Sequence, residues 1–376
     1  MKGDGFLYAT GRYRLLWSLG GSRMNQFSIA IALVSGIGLL AAAPTAQAGP
    51  CLIVTLTGTH GGPQQPFNGL ASAGTLVRYG DDADNCGAVK LQFDAGRGTT
   101  MRLSQLGVGT EQLKAVFFTH MHDDHTDGFA DLVKSRWAFH GTGPKIDAVC
   151  SSDVVSPQGV TLSCRKFVTH MADAFIQSGE IAQRHSEVKE RTAGGPAELV
   201  NTITFEPKDE PQVVWSYGDV KVSAIRSTHI AGNVSYRVDT PAGGVVIGGD
   251  AVNDVLAPPR NSSTSEQVER LAKGADIIVH SAIHPIMGPG RGSDMYPYAY
   301  YRQSTTPDLG AMAQRAGAKY LVLTHLIPPI GGEQYPFKLP GKPLTEADYK
   351  KAAQDGGFTG NIIVGTDLAS LRLPAK

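Results

Sequence analysis

The segment FFTHMHDDHTDG carries four side chains of metal-binding type within six residues: His120, His122, Asp124 and His125. Alternate residues of an extended backbone project on one side, so the first two imidazoles can bind one ion at about 2.0–2.1 Å. The carboxylate and the last imidazole follow on the turn and can hold a second ion. Imidazole and carboxylate without thiolate suit zinc, manganese or iron. The segment therefore predicts a metal site directly after a buried strand.

Three further residues of metal-binding type follow apolar strands later in the chain. They are His229 in STHIAGNVSYRV, Asp250 in GGVVIGGDAVND and His325 in YLVLTHL. Each alone is a weak signal, because a histidine at the end of a buried strand is more often a core residue. In this order and at these strand ends, together with the first cluster, they resemble the metallo-β-lactamase superfamily of hydrolases over nearly the whole chain after residue 48.

The resemblance implies two divalent metal ions, zinc above all, with manganese or iron as alternatives. One ion would be held by His120, His122 and His229, the other by Asp124, His125 and His325, with Asp250 bridging both. It implies that the ions activate a shared hydroxide and stabilise the developing oxyanion, while Asp124 also orients the nucleophile. Asp94 in FDAGRG matches the family's buried carboxylate behind the site; a plain turn aspartate is the alternative.

Within the superfamily, LTGTHGGP, FDAGRGTTMRLSQLG and VLTHL most resemble the branch of tRNA 3′-end endonucleases (RNase Z) and arylsulfatase-like phosphodiesterases. In that branch a HEAT-type motif supplies a histidine that contacts the scissile phosphate. The segment IVHSAIHP places His280 at this position, so we predict a catalytic role for it, or else a structural one. Ser281 replaces the motif's glutamate, which is a departure from the branch.

The element pattern is that of an α/β protein. Short strands rich in β-branched residues are followed by helices, and this order of strands and then helices occurs twice along the chain. Such a pattern suits two sheets packed face to face with helices outside. The resemblance implies that this fold is a four-layer αββα sandwich. We assign residues 49–376 to one hydrolase domain with an inserted helical cap at about 164–190. We expect this cap and the loop Pro285–Arg302 to border the substrate pocket.

Residues 1–48 have the features of a secretory signal, with Met24 as an alternative start. Four basic residues precede the apolar run Phe27–Ala43, and the small residues of Ala46–Ala48 suit cleavage. An uncleaved membrane anchor is the alternative. All four cysteines come later, and an even number in an exported chain suggests disulfides. We favour the local pairings Cys51–Cys86 and Cys150–Cys164 over buried thiols, and a periplasmic or extracellular location.

The net charge of residues 49–376 indicates which kind of molecule the protein binds. Residues 49–376 hold 33 acidic and 30 basic residues, whereas proteins that track phosphate backbones usually carry a basic excess. RNase Z often has a basic arm between the counterparts of His229 and Asp250, and 21 positions leave no room for one. We therefore disfavour nucleic acid and stable membrane association after cleavage, and expect a small-molecule substrate, with a homodimer left open.

Three functions remain. The leading hypothesis is an exported dinuclear metal-dependent hydrolase of a small phosphodiester or sulfate ester. A lactonase or other carboxylic-ester hydrolase on the same metals is the second. The third is a protein that binds metal or ligand without catalysis, against which the complete ligand set argues.

Overall fold

Two large β-sheets and their helices make up the part of the chain that the computed structural model describes, residues 49–62, 69–332 and 336–375. The strands are β1 Pro50–Gly58, β2 Gly74–Asp81, β3 Val89–Phe93, β4 Ala115–Phe117, β5 Ile146–Ser151, β6 Val154–Val155, β7 Thr161–Leu162, β8 Val200–Phe205, β9 Gln212–Tyr217, β10 Val220–Arg226, β11 Val234–Thr240, β12 Gly243–Ile247, β13 Ile277–Ile283, β14 Tyr320–Ile327, β15 Asn361–Val364 and β16 Ser370–Leu373.

The α-helices lie between the strands. They are α1 Thr99–Gln105, α2 Asp123–Thr126, α3 Phe129–His140, α4 Cys164–His170, α5 Asp173–Gln177, α6 Glu180–Glu187, α7 Glu266–Ala272, α8 Pro297–Tyr301, α9 Thr306–Ala316 and α10 Glu346–Asp355. Among the described residues, no helix combines the length and the apolar character that crossing a membrane requires. The predicted signal lies outside the described residues.

Each sheet pairs antiparallel strands on one side with parallel strands on the other. Within the described ranges the first sheet has the order β16-β1-β2-β3-β4-β5-β8, and the second β15-β14-β13-β12-β11-β10-β9. Strands β3, β4, β5 and β8 run parallel, as do β12 to β15. Because parallel strands end at the same edge of their sheet, the residues that follow them are brought together.

The apolar faces of the two sheets form the central core. Phe93 and Phe117 of the first sheet stack with ring centroids 4.6 Å apart, and Tyr236 of the second sheet lies 5.4 Å from Phe117. Two outer apolar clusters fix the helices: α7, α9 and α10 cover the second sheet, and α1, α3 and α4 cover the first. The predicted four-layer αββα sandwich is confirmed.

Both predicted disulfide pairings are present. Cys51 of β1 is bonded to Cys86, and Cys150 of β5 is bonded to Cys164 at the start of α4. The pairs are 35 and 14 residues apart in sequence. Each bond therefore closes a loop between residues that are near in sequence, and this closure restricts the unfolded chain.

Candidate metal centre

The first four side chains come from the sharp turn after β4. The backbone leaves the buried strand in extended form through His122, and α2 begins at the next residue. His120 and His122 therefore project together, with Nε2 of the first 2.9 Å from Nδ1 of the second. Asp124 and His125 lie in the single turn of α2, where both are buried. The local chain path thus places imidazoles and a carboxylate side by side.

The later three residues reach the same place from the second sheet. His229 follows β10, and its Nε2 lies 3.3 Å from His122 Nδ1. Asp250 follows β12, with Oδ2 3.7 Å from His229 Nε2. His325 lies on β14 at φ 47°, a left-handed conformation at a register irregularity, and its Nε2 lies 3.0 Å from Asp124 Oδ2. Four separate stretches therefore converge on one point.

The seven side chains fall into overlapping sets of three whose donor atoms all lie within 4.8 Å of one another. The sets are His120, His122 and His229; Asp124, His125 and His325; and His120, His125 and Asp250. Asp250 is placed between the other two sets, with Oδ1 3.7 Å from His125 Nε2 and Oδ2 3.4 Å from His325 Nε2. The structure thus brings together all seven residues that the sequence singles out as ligands.

Hydrogen bonds behind the site direct the imidazoles inward. Asp94 accepts from the Thr119 amide and hydroxyl, both at 2.8 Å, and from His125 Nδ1, also at 2.8 Å. His120 Nδ1 lies 3.0 Å from the Thr119 hydroxyl oxygen, to which it donates. His229 Nδ1 donates to the Arg302 carbonyl at 3.2 Å. These bonds occupy Nδ1 and turn the Nε2 atoms toward the site.

Burial keeps one histidine set uncharged. It lowers the pKa of His229 to about 3 and the pKa of His122 below its usual value. Burial and the neighbouring imidazoles of His125 and His229 hold the pKa of His120 well below its usual range. Because a metal binds neutral imidazole, these three side chains are in the binding form at neutral pH.

In the second ligand set, nearby carboxylates outweigh burial in their effect on the histidine pKa values. Burial lowers the pKa of His125, but Asp94, Asp124 and Asp250 outweigh it and raise that pKa well above its usual value. Asp250 and Asp124 likewise outweigh burial and raise the pKa of His325. Protons on these rings neutralise the clustered carboxylates, a task that a divalent cation would take over with release of those protons.

The residues present fit a pair of divalent ions. Among the described side chains, His125 Nε2 and Asp250 Oδ1 are buried without a hydrogen-bond partner. Leaving such atoms unpaired is costly, and a cation between them would satisfy both. The nitrogen and oxygen donors, with no cysteine sulfur nearby, suit zinc and related metals. The sequence signal alone could not show this convergence.

His280, the other predicted catalytic residue, lies beneath the site rather than in its wall. It is completely buried on β13, its Nδ1 lies 2.8 Å from the Ser281 carbonyl oxygen, and its Nε2 has no partner among the described residues. The ring packs tightly on Gly248, where an added Cβ would lie 2.1 Å from His280 Cδ2. A role in contacting the scissile phosphate stays a prediction.

A cavity of about 1280 Å³ opens beside the first histidine set. Its lining includes His122, His229 and Arg302, and also the hairpin of β6 and β7. Arg302 belongs to the predicted loop Pro285–Arg302. The segment 164–190 forms α4 to α6, and no residue of it lines this cavity, so its place beside the substrate stays a prediction. No sequence pattern indicated the hairpin, because four strand residues are too few to show one.

Comparison with known proteins places this site in a family, although no protein-family model matches the chain. Ribonuclease Z of Mycobacterium sp. (strain KMS) is 30% identical over 322 residues, which cover 84% of this chain and 94% of that protein. Ribonuclease Z of Mycobacterium bovis (strain BCG / Pasteur 1173P2) is 27% identical over 323 residues, or 84% and 96%.

Solved structures agree on the fold. The metallo-β-lactamase fold protein YhfI from Bacillus subtilis has a TM-score of 0.54 at 18% identity and covers 85% of this chain and 99% of its own. Human tRNase Z, short form, has a TM-score of 0.52 at 15% identity, with 86% and 100% covered. Fold and site define a metal-dependent hydrolase of the metallo-β-lactamase superfamily. Within it, the chain belongs to the ribonuclease Z family.

The comparisons overturn one prediction. Nucleic acid was disfavoured as a partner, yet the relatives that match 84% of the chain are named ribonuclease Z. The prediction was wrong: it rested on net charge, on one missing insertion and on the expected export away from tRNA. Net charge averages over the whole surface, so it does not report what a particular cavity binds.

Proposed function

We propose that this protein is a dinuclear phosphodiesterase, most suited to zinc. The observation that carries the proposal is the pair of ligand sets with Asp250 between them, next to an open cavity that His122 and His229 of the first set line. Ribonucleases cleave phosphodiester bonds, so the family supports this bond over a sulfate or carboxylic ester. When bound, two divalent ions would supply a hydroxide near neutral pH and neutralise charge on the phosphoryl oxygens.

The chain's own groups have separate tasks in this proposal. His120, His122 and His229 would hold one ion, and Asp124, His125 and His325 the other, with Asp250 between the two. Asp124 would also orient the attacking water by accepting its hydrogen bond. Arg302 also lines the cavity, with Nη2 3.1 Å from the His229 carbonyl oxygen. Its positive charge would favour an anionic phosphate at this point.

Hydrolysis assays test the proposal on the purified protein. The substrates are bis(p-nitrophenyl) phosphate, an unprocessed tRNA transcript, p-nitrophenyl sulfate and dihydrocoumarin, each with and without chelator. We expect turnover of at least one phosphodiester that EDTA abolishes and zinc restores. Chelator-sensitive turnover of the lactone or the sulfate alone would assign a different bond. No turnover by protein that holds two metals per chain would favour a binding protein.

The proposal extends to location. We propose export, supported by the apolar run Phe27–Ala43 before small residues and by two disulfides, which persist in oxidising compartments. Fusion of residues 1–48 to a reporter that is active only outside the cytoplasm tests it. We expect reporter activity and cleavage directly after Ala48. An inactive reporter, or one that stays with the membrane at full length, contradicts cleavage and release.

A further inference from the structure

A very short β-hairpin forms one side of the cavity beside the metal centre. Val154 pairs with Leu162 and Val155 with Thr161, and the turn between them is closed by the Ser156 amide, which donates to the Val160 carbonyl at 2.8 Å. A hairpin of two residue pairs cannot hold its shape in water by itself. Its position must therefore be imposed by the chain around it.

The base of the hairpin is tied at several points. The disulfide between Cys150 and Cys164 joins the strand before it to the helix after it. Inside this bond, the Ser163 hydroxyl donates to Asp153 Oδ1 at 2.6 Å. The Ser152 amide also donates to the carbonyl of a β8 residue at 2.7 Å. The hairpin is thus held at its base while its tip extends past the cavity.

The hairpin also packs on the loop that follows His229. A Cβ placed on Gly232 would lie 2.9 Å from Ser151 Oγ and 3.4 Å from Val154 Cγ2. This close approach leaves no gap between the hairpin and the part of the chain that carries His229. The cavity is therefore continuous from the histidine set to the hairpin wall.

Two kinds of residue line the cavity. His122, His229 and Arg302 come from the metal centre and its neighbouring loop. The hairpin contributes the apolar Val154, Val155, Val160 and Leu162 together with polar residues of its base and turn, and Leu256 is also in the lining. The side chains of Val155 and Val160 are 63% and 57% exposed, although a polar residue follows each of them in the sequence, Ser156 and Thr161. Adjacent exposed apolar side chains that border a site mark a binding surface.

We propose that this disulfide-closed hairpin, residues 152–163, is the specificity element of the enzyme. It would hold the flat ring of a substituent esterified to the scissile phosphate: an aryl group bonded to the phosphate directly, or the base of a nucleoside whose sugar forms the ester. The inference rests on the proposed phosphodiesterase function, and it adds the class of substituent that the site selects. The apolar side chains offer more contact area to a ring than to a methyl group, while the phosphate would lie beside His122, His229 and Arg302.

Diesters with a common p-nitrophenyl leaving group test the inference. The second substituent is methyl, phenyl or thymidine 5′-yl, so the two ring sources are compared with a substituent that lacks a ring. We expect kcat/KM to be higher for both ring substituents than for methyl. In the double variant Val155→Ser, Val160→Ser this preference should fall roughly tenfold through KM, since small apolar contacts give discrimination of that order. Turnover of the methyl diester should be unchanged.

Val213→Ser is the matched control. Val213 is 62% exposed on β9 and lies outside the lining of the cavity, so the same change there should leave all three substrates unaffected. Because both hairpin valines are exposed, their replacement should leave folding intact, which circular dichroism checks. A preference in the double variant within twofold of the Val213→Ser value overturns the inference.

Removal of the disulfide between Cys150 and Cys164 provides an independent test of the inference. Replacement of Cys150 and Cys164 by alanine should raise KM for the phenyl and thymidine diesters and leave the methyl diester alone. The same replacement of Cys51 and Cys86 removes a disulfide that does not adjoin the hairpin, so it should lower Tm without changing the preference. If the two cysteine-pair replacements change the preference for ring substituents equally, the inference is contradicted. If no diester is hydrolysed at all, the proposed function fails instead, and the two failures are distinguishable.

Discussion

Replacement of Asp94 by asparagine should loosen the metal centre without touching a predicted ligand. Asp94 is buried and uses both oxygens: Oδ1 accepts from the Thr119 amide, and Oδ2 accepts from the Thr119 hydroxyl and from His125 Nδ1. An amide has only one acceptor oxygen, so in either orientation its NH₂ group must face a donor. The backbone at φ 53° tolerates asparagine, which removes strain as a separate cause.

The size of the effect follows from these contacts. At least one buried donor loses its acceptor, which costs about 1–3 kcal/mol of stability. If the NH₂ group faces His125, that ring must accept through Nδ1, and its Nε2 then carries a proton where a lone pair is needed. Loss of such a supporting partner typically lowers metal affinity or activity about 10–100-fold, or about 1.4–2.7 kcal/mol.

Metal affinity and stability are measured separately. Competition with a chelating dye gives zinc affinity on protein whose fold is checked by circular dichroism, and urea unfolding of the metal-free protein gives stability. Asp123→Asn is the control, because this neighbouring carboxylate is exposed and lies 3.5 Å from the guanidinium of Arg97. We expect its affinity to match the parent. An Asp94→Asn protein with zinc affinity and stability within error of the parent would refute the reasoning.

Three further outcomes are expected. His122→Ala should abolish turnover and lower metal content, whereas exposed His170→Ala should change neither; full activity with unchanged metal in the first variant contradicts the ligand assignment. Gly61→Ala should reduce metal content measured by mass spectrometry, because the new Cβ would lie 2.8 Å from His325 Nδ1 and from its backbone oxygen. Hydrogen bonds outweigh burial and lower the pKa of Asp254 to about 2, so its contribution should be full above about pH 4 and lost as pH falls through about 2. Because this carboxylate is half-exposed, Asp254→Asn should lower the free energy of unfolding by less than about 1 kcal/mol at pH 7. The stability of the variant, measured by unfolding curves, should also fall less than that of the parent between about pH 4 and about pH 2.

Sequence reasoning located the central strands well, because their β-branched and aromatic runs are long enough to show a pattern. Val220–Ile225 and Val234–Val238 are such runs, and the structure has β10 and β11 there, paired antiparallel. Two threonines before Pro307 suit a helix start, and helix α9 begins at Thr306 with Thr305 as its N-cap. Its end at Gly317, which has φ 75°, is where the sequence places it.

Other elements were missed for physical reasons. Strand β8, Val200–Phe205, alternates apolar and polar residues only weakly, and it follows a long helical segment from which periodicity does not separate it. The hairpin of β6 and β7 is held by a disulfide and by contacts with the loop after His229, not by its own residues. Local pattern cannot reveal an element whose stability comes from distant parts of the chain.

The sequence by itself determined the chemical character of the site, because ligand type is a property of single residues. It supplied the spacing from His120 to His125, the apolar strand before that cluster, and three later residues at strand ends. Only the tertiary structure decided that these stretches meet. It also decided the tautomers through Asp94, and the shape of the cavity through the hairpin. Those features depend on distances between residues up to 200 positions apart, which folding alone sets.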